Sequence, residues 1–388
     1  VPADDPIHSP ATPDPALLTA FAKHRAHALG FQLVGVTGTE PPDHLDVFAK
    51  WLSEGGHGEM GYLAAPRARQ RREDPRRILP ECRSILVVGA NYLPAELGEA
   101  DGRVAAYAVG EDYHHVLPRR LERLVEDLSA RVGRPIAHRI YTDTGPLLER
   151  ELAQRAGLGW IGKNTCLIHP RHGSYFLLAE VLLDLELVPD PPFISDHCGS
   201  CTRCLEACPT QCIRPDRTLR ADRCISYLTI ELKGAIPREL RPPVGEWAFG
   251  CDICQQVCPW NVRFAEPTAD PDFQPRPFLR QAGLEDFLRL DGEAYRSELR
   301  GSPLKRVRRA GLLRNAAVAA GNRRDPELVP ALRSILLEEQ SAMVRSHAAW
   351  ALGRIGGPAA RQALQEARRA EPDPGAKAEI EAALKQMG

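Results

Sequence analysis

The spacing of apolar residues changes character along the chain. In "PALLTAFAKHRAHALG" they recur at helical intervals up to Gly30. "FQLVGVTG" and "SILVVGANY" are short continuous apolar runs that read as buried strands. "DYHHVLPRRLERLVEDLSARVG" returns to helical spacing, with Pro118 at an early turn or a kink. "PIAHRIYTD" reads as a strand, "PLLERELAQRAG" as a helix opening with Pro146, and "SYFLLAEVLLDLEL" as a long apolar strand. The alternation predicts an α/β layered domain over residues 1–190, its first 15 residues a leader.

Periodicity then fades. Residues 191–264 hold all but Cys82 and Cys166 of the 11 cysteines. "RFAEPTADPDFQPRPF" predicts a linker over 265–279, and an Ala-rich helical pattern fills 280–388. Within it "RNAAVAAGN" from Arg314 resembles "RSHAAWALG" from Arg345, which predicts a helical repeat of the HEAT type; two unrelated Ala-rich helices are the alternative. The expected architecture is multidomain α+β: an α/β domain, a cysteine module and an all-α repeat.

Composition narrows the class. At 388 residues, 43% hydrophobic and 26% charged, the chain suits a multidomain globular protein. No apolar run reaches membrane-span length. "VPADDPIHSPATPDP" has neither a basic nor an apolar signal region and reads as a disordered leader. With no signal peptide expected, 11 cysteines point to metal or redox chemistry rather than disulfides. The formal net charge of −1 argues against a global polyanion binder. The basic runs "RARQRREDPRR" and "LKRVRRAGLLR" are ordinarily solvated faces, yet they keep nucleic acid in view.

The cysteine spacing is specific. Cys198, Cys201, Cys204 and Cys208-Pro209 form C-x2-C-x2-C-x3-C-P, the run of two-cluster ferredoxins, whose fourth cysteine serves the other cluster. Cys251, Cys254 and Cys258-Pro259 repeat it with one cysteine missing. Crossing places Cys258 with Cys198, Cys201 and Cys204. The second set, Cys208, Cys251 and Cys254, needs Cys224 or Cys212 to complete it. Structural zinc wants separated C-x2-C pairs, a different shape. Cys82 and Cys166 read as plain buried cysteines.

Three other features draw attention. "GLGWIGKN" has G-x-G-x-x-G spacing at Gly157, Gly159 and Gly162, but follows a helix and reads as a turn lining some other ligand. Asp143 ends a strand before a helix, a place for a cap or for a catalytic acid. His114 and His115 lack metal-binding partners in sequence and read as surface or packing residues.

"YTDTGPLLERELAQRAGLGWIGKN", "CGSCTRCLEACPTQCI", "DRCISYLTIE", "GCDICQQVCPWN" and "SPLKRVRRAGLLRNAAVAAGN", in this order, resemble the epoxyqueuosine reductases over residues 16–355. The resemblance implies a cobalamin-dependent iron–sulfur enzyme. Its reaction would reduce epoxyqueuosine to queuosine at the wobble position of the tRNAs for Asp, Asn, His and Tyr. It implies Asp143 as proton donor beside the cofactor and two [4Fe-4S] clusters completed by Cys224. Lys163, Asn164 and Ser226 would line the corrin. "GRVAAYAVGEDYH" offers no thiol for cobalt, and "DYHHVL" lacks the glycine of the D-x-H-x-x-G loop. The chemistry coheres: clusters pass single electrons, low-valent cobalt cleaves the carbon–oxygen bond, and a carboxylic acid protonates the departing oxygen. The expected setting is a cytoplasmic monomer with an external low-potential electron donor. A reductive-dehalogenase-like enzyme of a small substrate and an iron–sulfur electron-transfer protein are the alternatives. Retention or loss of corrin on purification separates the second from the rest.

Overall fold

The computed structural model describes residues 14–96 and 102–388. Of the expected leader, 1–13 lies outside the described residues. The leader does not extend to residue 15. Asp14 Oδ1 accepts the Ala16 N–H at 2.8 Å, and Pro15 opens the helix Pro15–Ala28. Proline suits that position because the first helical N–H has no intrahelical partner to lose.

The first domain is built on one four-stranded sheet. Its spatial order is Leu33–Thr37, Ser84–Asn91, Phe176–Leu183 and His138–Tyr141, with every pair antiparallel. The central strands are covered on both faces, so their sequences are continuous apolar runs rather than alternating ones. Pro15–Ala28 and Tyr113–Val132 pack one face around Leu86, Val88, Leu117 and Leu121. Glu149–Arg155 packs the other around Val87, Leu152 and Leu182. Asp112 caps Tyr113–Val132 by accepting the His114 N–H at 3.0 Å, and Gly133, at φ 71°, ends it. Pro118 lies inside this helix, beyond the first turn.

One expected helix start moves. The helix that "PLLERELAQRAG" predicts begins at Glu149, not Pro146. Asp143 has φ 59°, and its N–H bonds the Glu149 side chain, so the residues between are held in turns. Asp143 is therefore not a helix cap.

The expected domains share their packing. Arg103–Val104 pairs in parallel with Trp247–Phe249, tying the sheet domain to the cysteine module. One hydrophobic core runs from Ala105 through Leu228 and Phe249 to Leu313 and Ala351 of the helical domain. The stretch 265–279 is irregular but is no free tether. Phe273 is buried against the sheet domain, and Arg120 pairs with Asp270 at 2.6 Å and Asp272 at 2.7 Å.

The helical repeat is regular. Arg308–Arg323 and Ala342–Ile355 are corresponding first helices, followed by Val329–Glu338 and Gly357–Ala370, and Pro374–Gln386 follows last. A Cβ on Gly321 would come within 2.6 Å of the Trp350 ring, and one on Gly353 within 2.7 Å of the Ala383 Cβ. The glycines thus sit in step because each lets the next helix approach closely.

Candidate functional site

The cysteines of the module lie near one another in two sets. The thiols of Cys198, Cys201 and Cys258 all act electrostatically on Cys204. Cys208 and Cys224 act on Cys251, while Cys224 and Cys251 act on Cys254. Cys212 is buried, 3.5 Å from the Cys208 sulfur, and also bonds Cys224. Cys166 bonds Asn164 O at 3.8 Å and neighbours Cys254, so it borders the second set, a placement its apolar sequence context did not suggest. Cys82 stays apart, its thiol bonded to Ser84 O at 3.5 Å.

The sheet domain braces these loops. Lys163 Nζ donates to Gly199 O at 2.7 Å and to Cys201 O at 3.0 Å. Asn164 Nδ2 donates to Cys254 O at 3.4 Å, and Trp160 Nε1 approaches Cys198 Sγ at 3.5 Å. Lys163 and Asn164, two of the three residues expected at a corrin wall, thus hold cysteine loops. Gly162 of "GLGWIGKN" opens the turn of the hairpin Trp160–Ile161/Leu167–Ile168, and Gly157 and Gly159 precede its first strand. A Cβ on Gly159, at φ 151°, would strike Ile168 O. Ser226 is half-buried in the first turn of Ile225–Ile230, just after Cys224.

Asp143 lies beside a cleft of about 380 Å³ lined by Asp112, His114, Thr142, Thr144 and Arg306, among others. Its side chain is 54% exposed although protein surrounds it on several sides. Tyr113 Oη donates to Asp143 Oδ2 at 3.0 Å. His114 Nε2 stands 3.6 Å from the same oxygen, an ion pair rather than a hydrogen bond, while Nδ1 bonds Asp112 Oδ1 at 2.7 Å. Burial pushes the Asp143 pKa upward. The His114 and Tyr113 contacts and the Arg306 charge outweigh it and hold the carboxyl below the usual range. Burial works against the His114 imidazolium, yet the pairings with Asp112 and Asp143 lift it to about 9. Near neutrality, then, the proton of this pair rests on His114 and Asp143 is a carboxylate.

Arg306 reaches the cleft from the helical domain. Its Nε donates to Glu231 Oε1 at 2.6 Å, and it also contacts Tyr62. Sequence reasoning missed Tyr62, Tyr113, His114, Glu149, Glu231 and Arg306 as parts of one site. Only the adjacency of Asp112 and His114 at a helix start was a local signal. Within the run Leu304–Arg314, Lys305, Arg306 and Arg308 are exposed. Arg309 pairs with Glu339 at 2.7 Å. Arg314 is wholly buried and donates to the carbonyls of Leu228, Leu232 and Gly234. The basic run is thus partly internal structure.

Cysteines in a two-cluster ferredoxin spacing, an acid-bearing cleft and a helical-repeat tail point to the class of iron–sulfur oxidoreductases. Comparison with known proteins makes the family specific. A model described as a 4Fe-4S double cluster binding domain matches residues 197–261, HEAT repeats match 297–385, and Epoxyqueuosine reductase QueG, DUF1730, matches 72–144. An epoxyqueuosine reductase of Pseudomonas aeruginosa is 43% identical over 353 residues, covering 89% of this chain and 96% of that protein. A solved epoxyqueuosine reductase with an epoxyqueuosine-modified tRNA-Tyr stem loop matches with a TM-score of 0.87 at 31% identity, covering 96% of this chain and 99% of the other. A Bacillus subtilis epoxyqueuosine reductase, its catalytic aspartate loop swung out of the active site, matches at 0.86 and 30% identity, covering 96% and 99%. The chain belongs to the epoxyqueuosine reductase family. Among the described residues no helix is long and apolar enough to cross a membrane.

Proposed function

We propose that this chain reduces epoxyqueuosine to queuosine at the wobble position of the tRNAs for Asp, Asn, His and Tyr, as a cytoplasmic monomer fed by an external low-potential donor. The observation that carries the reading is Asp143: a strand-end carboxylate, open to a cleft, charged by His114 and Arg306, in a chain of this family. Removing an epoxide oxygen as water takes two electrons and two protons.

Cys198, Cys201, Cys204 and Cys258 hold one [4Fe-4S] cluster, and Cys208, Cys224, Cys251 and Cys254 the other. Cys224 is preferred to Cys212 because it acts on both Cys251 and Cys254, and because it matches the family motif DRCISYLTIE. Near the second set stand Asn164, bonded to Cys254 O, and the half-buried Ser226, two residues past Cys224, and Tyr107 is influenced by both Asp143 and Asp252. Ser226 would touch the amide rim of cobalamin there, and Asn164, buried and bonded to Cys254 O, would shape the wall behind it. Lys163, spent on two carbonyls, would support the corrin wall through the loop it braces. When bound, clusters and cobalamin supply single electrons and the low-valent metal for carbon–oxygen cleavage.

The chain's own residues manage the proton. Tyr113 fixes the Asp143 carboxyl, and His114 holds the proton that Asp143 passes to the departing oxygen. The exposed Lys305 and Arg308, next to the cleft-lining Arg306, and the exposed Arg67 and Arg69 of the helix Pro66–Glu73 contact phosphates and set the register of the anticodon arm. The modified base leaves its stack to enter the cleft. The loop carrying Asp143 moves between seated and swung-out states, as in the Bacillus subtilis relative.

The test is direct. The chain is reconstituted anaerobically with iron, sulfide and cobalamin, reduced with dithionite and given an epoxyqueuosine stem loop. Loss of one oxygen from the base, read by mass spectrometry, is expected. A protein with full iron and bound corrin that leaves the base unchanged overturns the reading.

A further inference from the structure

Beneath Asp143 lie two carboxyl groups with no part in the chemistry above. Glu149 opens the helix Glu149–Arg155 and turns Oε1 back to accept the Asp143 N–H at 2.6 Å. Glu180 sits mid-strand, opposite Tyr141 and Val87, on the face that carries Leu178 and Leu182. None of it is exposed, and neither carboxyl oxygen has a hydrogen-bond partner among the described residues. An unpartnered carboxyl in an apolar layer is costly and calls for a reason. Burial, then the charges of Glu149 and Asp143, keep Glu180 protonated. Burial, then the Asp143 charge, lift Glu149 to about 8. The bond from Glu149 to the Asp143 amide thus joins this buried layer to the solvent-facing loop that carries Asp143.

Asp143 needs such a hold. At φ 59° it occupies the left-handed region, which aspartate visits only at a cost. Neither of its flanking neighbours bonds its carboxyl; Tyr113 and His114 do so from another helix. The backbone must be pinned for that side chain to meet them. Among the described residues the bond to that N–H comes from Glu149, six residues on.

We propose that Glu149 is the positioning residue of the general acid: its side-chain oxygen latches the Asp143 amide and keeps the loop seated with the carboxyl in the cleft. This deepens the function proposed above and rests on it. The latch uses an acceptor oxygen, which glutamate has in either protonation state and glutamine also has.

The test compares Glu149→Ala and Glu149→Gln in fully reconstituted protein. Two readouts are taken: kcat and KM for the epoxyqueuosine stem loop, and backbone hydrogen exchange over residues 142–148. Misplacing a reacting group by about 1 Å can cost ~10²-fold in rate, so Glu149→Ala should lower kcat roughly 10- to 100-fold with KM within about twofold. Exchange at the Asp143 amide should rise at least ~10-fold while other segments keep their protection. Glu149→Gln should keep both near the parent. If Glu149→Ala loses its clusters, Glu149→Asp replaces it; one methylene shorter, it withdraws the acceptor and should show the same losses. Parental kcat or unchanged exchange in the shortened variant overturns the latch. So does a glutamine variant as impaired as alanine, which would make the carboxyl proton the essential feature. Should the parent fail to reduce epoxyqueuosine, the function falls, and the exchange measurement still decides the latch.

Discussion

The thiol sets and the Asp143 cleft are built in opposite ways. Each set takes its cysteines from short loops in one module, where spacing does most of the positioning and Lys163 and Asn164 only brace from outside. The cleft draws Asp112, His114, Thr142, Thr144 and Arg306 from segments far apart in the chain, with Asp143 beside it. The thiol sets use a rare residue whose chemistry is fixed by type. The cleft uses common residues, and its chemistry exists only after assembly. Aspartate alone is an ordinary acid; beside His114 and Arg306 it becomes a held carboxylate with a stored proton.

The sharpest test of the contrast lies in the second set. Cys224→Ala should lower iron to about one cluster's worth and abolish turnover, because three protein ligands leave a cluster labile. Cys212→Ala should keep both clusters, since Cys212 would serve as a buried neighbour of the ligands Cys208 and Cys224 rather than as a ligand. Iron analysis and visible spectra read the outcome, and iron loss from Cys212→Ala alone would reassign the ligand.

The cleft should fail differently. Asp143→Asn should bind both clusters and the stem loop yet lose ~10²–10⁴-fold in kcat, the usual cost of removing a positioned acid. Asparagine tolerates the left-handed backbone as aspartate does, so melting temperature should barely change. Near-parental turnover would return the proton to another donor.

Legibility in the sequence followed the same division. The strand runs, the Pro15–Ala28 helix and the Gly321/Gly353 repeat could be read because each depends on local period. The cysteine motif could be read because its ligand type and spacing are specific. What escaped depended on distant partners. The pairing of the 84–91 strand with the 176–183 strand and the shared core from Ala105 to Ala351 leave no local mark. The run at Leu304–Arg314 misled by charge alone: Arg306 faces the cleft, while Arg314, eight positions on, is a buried donor to three carbonyls. Asp143 could be read as a candidate, but its proton store on His114 could not, because a strand end and a helix start meet only in the fold.

That basic run separates the two kinds of residue again. Arg314→Ala should cost about 3–5 kcal/mol of stability by leaving buried carbonyls unpaired. Lys305→Ala with Arg308→Ala should leave stability unchanged and reduce the salt slope of tRNA binding by roughly one unit per lost phosphate contact. Denaturation curves and salt titrations decide. A double variant with an unchanged slope would make this face merely solvated.

The smallest expected effect concerns the stored proton. The His114 pKa is raised from 6.5 to about 9 because pairing with Asp112 and Asp143 overcomes burial. For a group raised on folding, the stabilisation is complete below the unfolded value of 6.5 and is lost as pH rises through about 9. Melting temperature should therefore decline across this window in the parent and decline less in His114→Gln, which cannot take up the proton. Turnover should follow the same group. About one unit above its pKa only about a tenth of His114 remains protonated, so kcat of the parent, driven by dithionite in excess, should fall toward that fraction. In His114→Gln the basic limb should vanish and the plateau should lie lower at every pH. A parent profile flat from pH 7 to 10 would place the transferred proton elsewhere and reduce His114 to a partner that orients Asp143.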